Sequence, residues 1–298
     1  MPIFSALFAA LLFLLPQAPA STQRAKPKLA AAQQKIRAEI TKSGADVAIA
    51  FETLDGQLEW YVRADEPFHA ASTMKIPVLI ELFHQAREGK CTLDEPLTIH
   101  NEFKSIVDGS PYQLNAADDS ETDLYKAEGQ TRTLSQLAEL MITTSSNLAT
   151  NLLIQRLGVA NIQATDKELG ADGMQVLRGV EDQKAFDKNL NNTTTARALA
   201  TLLAAIAGGT AVNTDSSHHM IEILERQKFN ESIPAGLPPN IAVAHKTGEI
   251  TKIHHDAAIV FAQRPYVLVI LTRGIEDPKA SAALMADISR ELYTATQQ

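Results

Sequence analysis

The chain opens on an almost unbroken apolar run. Residues 3–15, IFSALFAALLFLL, carry no charge, and the run is too short to cross a bilayer as a helix. Pro16 and the small-x-small triplet Ala18-Pro19-Ala20 follow, so residues 1–20 read as a secretory signal peptide whose only leading positive charge is the α-amino group. Between 25 and 44, Leu29, Ile36 and Ile40 recur at helical spacing and Gly44 supplies a stop. ADVAIAFETLDGQLEWYVRAD then alternates on both sides of Asp55-Gly56, which predicts a β-hairpin.

The next segment, STMKIPVLIELFHQAREGK, predicts a helix opened by Ser72. Val78, Leu79, Leu82 and Phe83 form its buried face, and Pro77 sits in an early turn where a missing N–H is tolerated. Helical patterns dominate from roughly 84 to 232. The clearest is TLSQLAELMITTSSNLATNLLIQRLG, with Thr133 as a cap and Gly158 as a closing glycine. Three β-rich runs come late, NIAVAHKTGEI, HDAAIVFAQ and PYVLVILTRG, and an amphipathic helix follows Asp277-Pro278. Two early strands and three late ones predict an α/β (α+β) fold. One five-stranded antiparallel sheet is flanked by the terminal helices, with a helical subdomain (roughly 84–232) inserted within a single domain, 21–298. A cleft between the lobes would take a small ligand.

Composition narrows the partners. The 298 residues are 45% hydrophobic and 21% charged, enough apolar material for a sizeable core. The net charge of −8 and pI near 5.5 argue against a nucleic-acid partner. Cys91 is the one cysteine, so no intramolecular disulfide forms, and its place outside the cleavage triplet argues against a lipidated terminus. It reads as a small structural hydrophobe.

Three short motifs carry chemistry. Ser72 and Lys75 stand one helical turn apart, about 5–6 Å between Cβ atoms. A serine hydroxyl needs a neighbour to take its proton, and a half-buried lysine with a lowered pKa is one such neighbour. Taken alone, the pair also fits a helix cap beside a surface lysine. Ser145-Ser146-Asn147 lies between two helical runs, and Lys246-Thr247-Gly248 lies on a late strand. Each is weak alone; the three in this order are strong.

Together they resemble the signature of class A β-lactamases and the related penicillin-recognising serine enzymes. The likeness extends over nearly the whole mature chain through STMKIPV, SSNLATNLL, NTTTARALATLL and HKTG. It implies a β-lactamase-like fold and these roles. Ser72 is acylated, Lys75 assists its deprotonation, and Ser145 relays a proton to the leaving nitrogen. Asn147 holds the substrate's acyl amide and orients Lys75. Lys246 and Thr247 bind a substrate carboxylate, while the backbone N–H groups of Ser72 and Glu249 form an oxyanion hole. Gly248 leaves room for substrate along the strand. The implied activity is hydrolysis of a β-lactam amide by a periplasmic or secreted monomer, free of stable membrane association after signal cleavage. No cofactor or metal is implied, and the partner is a small molecule, either a β-lactam or a peptide-like cell-wall fragment. The alternative is a D-alanyl-D-alanine peptidase or related serine hydrolase with slow deacylation. A non-catalytic binding module is a third reading, against which all three intact motifs argue.

The chain departs from the family at two places. Ser146 stands where an aspartate is usual. The family's loop pattern R-x-E-x-x-L-N, whose glutamate activates the deacylating water, is replaced by LRGVEDQKAFDKNLNN. Arg178 matches the arginine, but Glu181 follows three residues later, and Asn192 replaces an aspartate. Glu181 is the first candidate for the deacylation base and Asp182 the second; a loop without such a base stays open. In KIHHDAAIV, neighbouring strand residues face opposite ways, so His254, His255 and Asp256 do not share one metal ion. Counted from the KTG triplet, His255 falls near the family's carboxylate-binding arginine, and a partly protonated ring there would assist. Tyr112 lines the cleft or packs the loop. Trp60 packs the sheet.

Overall fold

A computed structural model describes residues 20–297, with side chains from Lys26 onward. The signal-peptide expectation falls, all but Ala20, outside the described residues. No helix among the described residues is long and apolar enough to cross a membrane.

Helix α1 (Ala20–Ser43) leads into β1 (Asp46–Thr53) and β2 (Glu59–Val62), the hairpin expected around Asp55-Gly56. The late runs form β3 (Ala242–Ile250), β4 (Ile253–Phe261) and β5 (Tyr266–Arg273). All pairs are antiparallel and the order is β2-β1-β5-β4-β3, so β3 is a free edge. Strand alternation splits the apolar side chains between two faces. Ile49, Phe51, Val260, Leu268 and Ile270 pack with Leu29 and Ile36 of α1 and with Leu284, Ile288 and Leu292 of the C-terminal helix (Pro278–Thr296). Ala48, Ala50, Ile259, Val267 and Val269 face the helices of the middle of the chain. Asp277 caps the C-terminal helix by accepting from Lys279 N at 3.0 Å.

Helix α2 (Lys75–Arg87) departs from its expected form. A 3-10 turn, Ala71–Met74, precedes it, and Ser72 caps nothing. Its burial is also wider than one face, because every residue from Lys75 to Phe83 is buried, together with Gln85. A helix surrounded on all sides is a core helix, and α2 packs against helices α3 (Leu134–Thr143), α4 (Asn147–Leu157) and α5 (Val159–Glu168). Its polar members are paired: Glu81 accepts from Gln85 Nε2 and Thr165 Oγ1, both at 2.6 Å. Truncating a fully buried member such as Leu79 to alanine would cost ~2–5 kcal/mol. Lys75, at the start of this helix, is itself fully buried.

Thr133 starts α3 through a capping box with Gln136, accepting from its N–H at 3.1 Å while Gln136 Oε1 accepts from Thr133 N at 2.9 Å. Gly158, at φ 85°, closes α4. The two helices are separated by Thr144, Ser145 and Ser146, and that break presents the second motif.

Candidate active site

The three motifs converge. Lys75 is fully buried, and its Nζ donates to Ser145 O at 2.6 Å, Ser145 Oγ at 3.1 Å and Asn147 Oδ1 at 3.0 Å. Burial pushes its pKa down to about 7, against the pull of the Asp119 and Glu181 carboxylates. Lys246 is also fully buried; its Nζ donates to Ser145 Oγ at 3.0 Å and Thr247 O at 2.9 Å. Burial first, and then the neighbouring Lys75, hold Lys246 well below the usual lysine range. One serine oxygen thus lies between two ammonium-forming groups. Ala71, Ser145 and Glu181, all at the site, have φ of 45°, 60° and 61°. Left-handed backbone in non-glycine residues is costly and clusters where function demands it.

Edge strand β3 runs beside the 3-10 turn. A Cβ on Gly248 would lie 3.1 Å from Ser72 N, 3.2 Å from Ala71 Cβ and 3.2 Å from Thr73 Cγ2, so any side chain here would press on the turn that carries Ser72. The two-residue turn at Thr251-Lys252 makes Ile250 and Ile253 a hydrogen-bonded pair. By alternation Glu249, opposite His254, turns its N–H to the free edge. The N–H groups of Ser72 and Glu249 therefore belong to the same corner of the cleft.

The loop from Arg178 to Asn192 brings an acid to that corner. Glu181 Oε1 accepts from Asn147 Nδ2 at 2.8 Å, and Oε2 accepts from Asn115 N at 3.3 Å. Burial raises its pKa, with Asp119 and Asp118 adding to the rise and the two hydrogen bonds opposing it. The left-handed turn at Glu181 directs its carboxylate inward despite the departed spacing. Asp182 goes elsewhere: it caps α6 (Gln183–Asp187) through Ala185 N at 3.1 Å and accepts from Ser105 Oγ at 2.9 Å and Ile106 N at 3.0 Å. Its oxygens are committed to holding the loop. Asn192 Oδ1 accepts from Leu177 N and Arg178 N, and the Arg178 guanidinium donates to Leu190 O, Gly179 O and Asn191 Oδ1. Amide and carbonyl contacts replace the arginine–aspartate pair of the family pattern.

The expectation for His255 is overturned. Its ring is 1% exposed. Nε2 lies 2.8 Å from His69 O, and Nδ1 lies 2.7 Å from His254 O and 3.2 Å from Thr272 N. Burial lowers its pKa to about 4, so it is neutral at physiological pH and offers no cation to a carboxylate. The ring instead supports the His69–Ala71 segment ahead of Ser72. Tyr112 is half-buried and braces the loop, its hydroxyl donating to Val180 O at 3.3 Å. Trp60 packs in the outer core under the Arg37 guanidinium, and Cys91 is buried.

Asp119 belongs to the site and was not legible in the sequence. Its carboxylate accepts from Asn147 N at 2.8 Å and Leu148 N at 3.0 Å, across 28 residues of sequence from the former. Nothing in NAADDSETD separates it from a solvated acidic turn.

A cleft of about 1060 Å³ is lined by Ser72, Ser145, Asn147, Thr247 and Glu249, and continues past the β3–β4 turn. A side pocket of about 430 Å³ joins Ser72 and Asn147 to Glu181, Val180, Phe186 and Ile250. A fixed serine, a neutral-leaning lysine and convergent backbone donors are the parts that acyl transfer needs.

Known proteins resemble this chain. A model of the beta-lactamase enzyme family matches residues 31–296. The Bacillus licheniformis beta-lactamase is 30% identical over 78% of this chain and 73% of its own length. Beta-lactamase ROB-1 of Haemophilus influenzae is 28% identical over 79% and 74%. The structure of PBP-A superposes with a TM-score of 0.77 at 30% identity, covering 90% of this chain and 96% of PBP-A; a mutant of PBP-A as its penicillin-G acyl-enzyme complex matches equally. A beta-lactamase from Sphaerobacter thermophilus gives 0.74 at 25% identity, covering 92% and 97%. The chain belongs to the beta-lactamase enzyme family and is a serine hydrolase of the class A and penicillin-binding-protein-like group.

Proposed function

We propose that the protein is a serine β-lactamase that opens the β-lactam amide through an acyl-enzyme on Ser72. The observation that carries this reading is the Glu181 carboxylate, held in the site by the same Asn147 that receives Lys75. In the first half-reaction neutral Lys75 takes the Ser72 proton and Oγ attacks the carbonyl carbon. The oxyanion is met by the N–H groups of Ser72 and Glu249, worth a few kcal/mol of barrier, ~2.7–4 kcal/mol per donor. The C–N bond breaks as Ser145 Oγ passes a proton to the leaving nitrogen, and its own proton is restored from the adjacent lysines. Asn147 meets the acyl amide. Lys246 and Thr247 bind the substrate carboxylate, whose arrival favours the ammonium form of Lys246.

In the second half-reaction Glu181 takes a proton from water. The hydroxide adds to the ester carbon, and Ser72 Oγ leaves with the proton that Glu181 took, which restores both groups. A carboxylate with a raised pKa suits this task near neutral pH. The likeness to PBP-A favours a second reading, a penicillin-binding peptidase that deacylates slowly. We place the enzyme, after removal of residues 1–20, as a monomer in the periplasm or outside the cell. Steady-state hydrolysis of benzylpenicillin by the purified chain tests the reading: multiple turnovers abolished by Ser72→Ala support it, and stoichiometric uptake without turnover selects the peptidase.

A further inference from the structure

Helix α4 carries Asn147 as its first residue, with Ser145 just ahead, so its N-terminus sets two of the groups around Ser72. The amides there do not find a carboxylate in the adjoining residue. Ser146 Oγ serves Ala149 N at 3.2 Å instead. They find Asp119. Its Oδ2 accepts from Asn147 N at 2.8 Å, Leu148 N at 3.0 Å and Tyr125 Oη at 2.9 Å, with Ser146 Oγ at 3.5 Å, while Oδ1 accepts from Glu121 N at 3.0 Å. Asp119 is 6% exposed. A carboxyl group that accepts this many hydrogen bonds at a helix start is held rigidly.

Ser146 Oγ and Asp119 Oδ2 are close enough that a carboxylate grown from position 146 would reach the same helix terminus. We propose that Asp119 is a positioning residue for acyl transfer, supplying from outside α4 the carboxylate that position 146 lacks and fixing Ser145 and Asn147 beside Lys75. This rests on the reading of the site given above. Three charged groups act on Lys75. They are Asp119 from the segment before Tyr125, Glu181 from the loop and Lys246 from β3. Asp119 exerts the larger of the two carboxylate attractions. Around Asp119 itself stand Tyr125, Asp118 and Glu181.

The test compares four proteins: wild type, Asp119→Asn, Ser146→Asp and the double variant. Two readouts are taken, the second-order rate of Ser72 labelling by fluorescent penicillin against pH, and the titration of Lys75 followed by its 13Cε chemical shift. Asp119→Asn keeps the shape but loses the charge. It should slow labelling by about tenfold or more, and both the rising limb of the pH profile and the Lys75 midpoint should move to lower pH. Ser146→Asp alone sets two carboxylates side by side and should lower the melting temperature. The double variant should recover the rate, the limb and the midpoint. Labelling and midpoint unchanged in Asp119→Asn would overturn the proposal. So would a slow double variant with an unmoved midpoint, which is the result of a merely structural aspartate. If wild type is never labelled, the acyl-transfer reading fails, while the Lys75 titration still decides for or against Asp119.

Discussion

The side-chain amide of Asn147 donates to Glu181 Oε1 at 2.8 Å, and the oxygen of the same amide accepts from Lys75 Nζ at 3.0 Å. One asparagine thus joins the lysine proposed for acylation to the acid proposed for deacylation. Its orientation is fixed, because only one way round gives a donor to the carboxylate and an acceptor to the lysine. Electrostatics follow the same path: the Glu181 charge helps raise Lys75 against the burial that lowers it.

The two neighbouring acids of the loop should separate cleanly by substitution. Asp182→Ala removes the cap of α6 and the anchor on Ser105, so it should destabilise by ~1–2 kcal/mol, as lost caps do. Its deacylation rate at 20 °C should stay within about threefold of wild type. Thermal unfolding and single-turnover deacylation check the two halves.

Acylation should rise with pH through about 7. The sign follows from the role: Lys75 takes a proton only when neutral, and burial brings its pKa down to about 7. Lys75→Arg, whose guanidinium stays protonated, should acylate at least about 100-fold more slowly across pH 5–9. Stopped-flow labelling at varied pH checks both. A flat profile in wild type would sink the assignment.

Gly248→Ala should act on rate rather than fold. The added methyl meets Ser72 N and Ala71 Cβ at 3.1 and 3.2 Å, so β3 must withdraw from the turn that carries the nucleophile. Acylation should drop by about tenfold to a hundredfold, the scale of a small misplacement at a reacting centre. The melting temperature should move by only a few degrees. Labelling kinetics beside calorimetry decide.

Behind the site, Asp166 is buried with both carboxylate oxygens unpartnered, and burial, with Glu81 nearby, raises its pKa to about 8. Raising a carboxyl above its unfolded value of 3.8 has a defined sign. Its contribution is full below about 4 and is lost as pH rises through about 8, because the unfolded chain gives up the proton first. Stability should therefore fall between these limits with a slope of up to ~1.4 kcal/mol per pH unit from this one group. Asp166→Asn should flatten that slope. Urea unfolding at pH 5, 6, 7 and 8 measures it, and parallel slopes in the two proteins would reject the account.

What was legible in the sequence was local. The period-2 runs gave the strands, Thr133 and Gly158 their helix ends, and the motifs their residues, because each signal lies within a few positions. What packs on a strand is not local. His255 could be placed on β4 by counting, but the Ala71–Met74 turn that covers it comes from another part of the chain. The same reason hid the burial of α2 on all sides and the reach of Asp119 to α4. The loop acid stood open between Glu181 and Asp182 because their difference lies in one left-handed residue and two distant partners, Asn147 and Ser105.

The central claim is that Glu181 releases the acyl group from Ser72. Intact-protein mass spectrometry over time, after mixing benzylpenicillin with wild type and with Glu181→Gln, tests it most directly. The wild-type adduct should disappear within seconds as product accumulates, and the Glu181→Gln adduct on Ser72 should persist about 100-fold longer or more. Equal adduct lifetimes in the two proteins would contradict it.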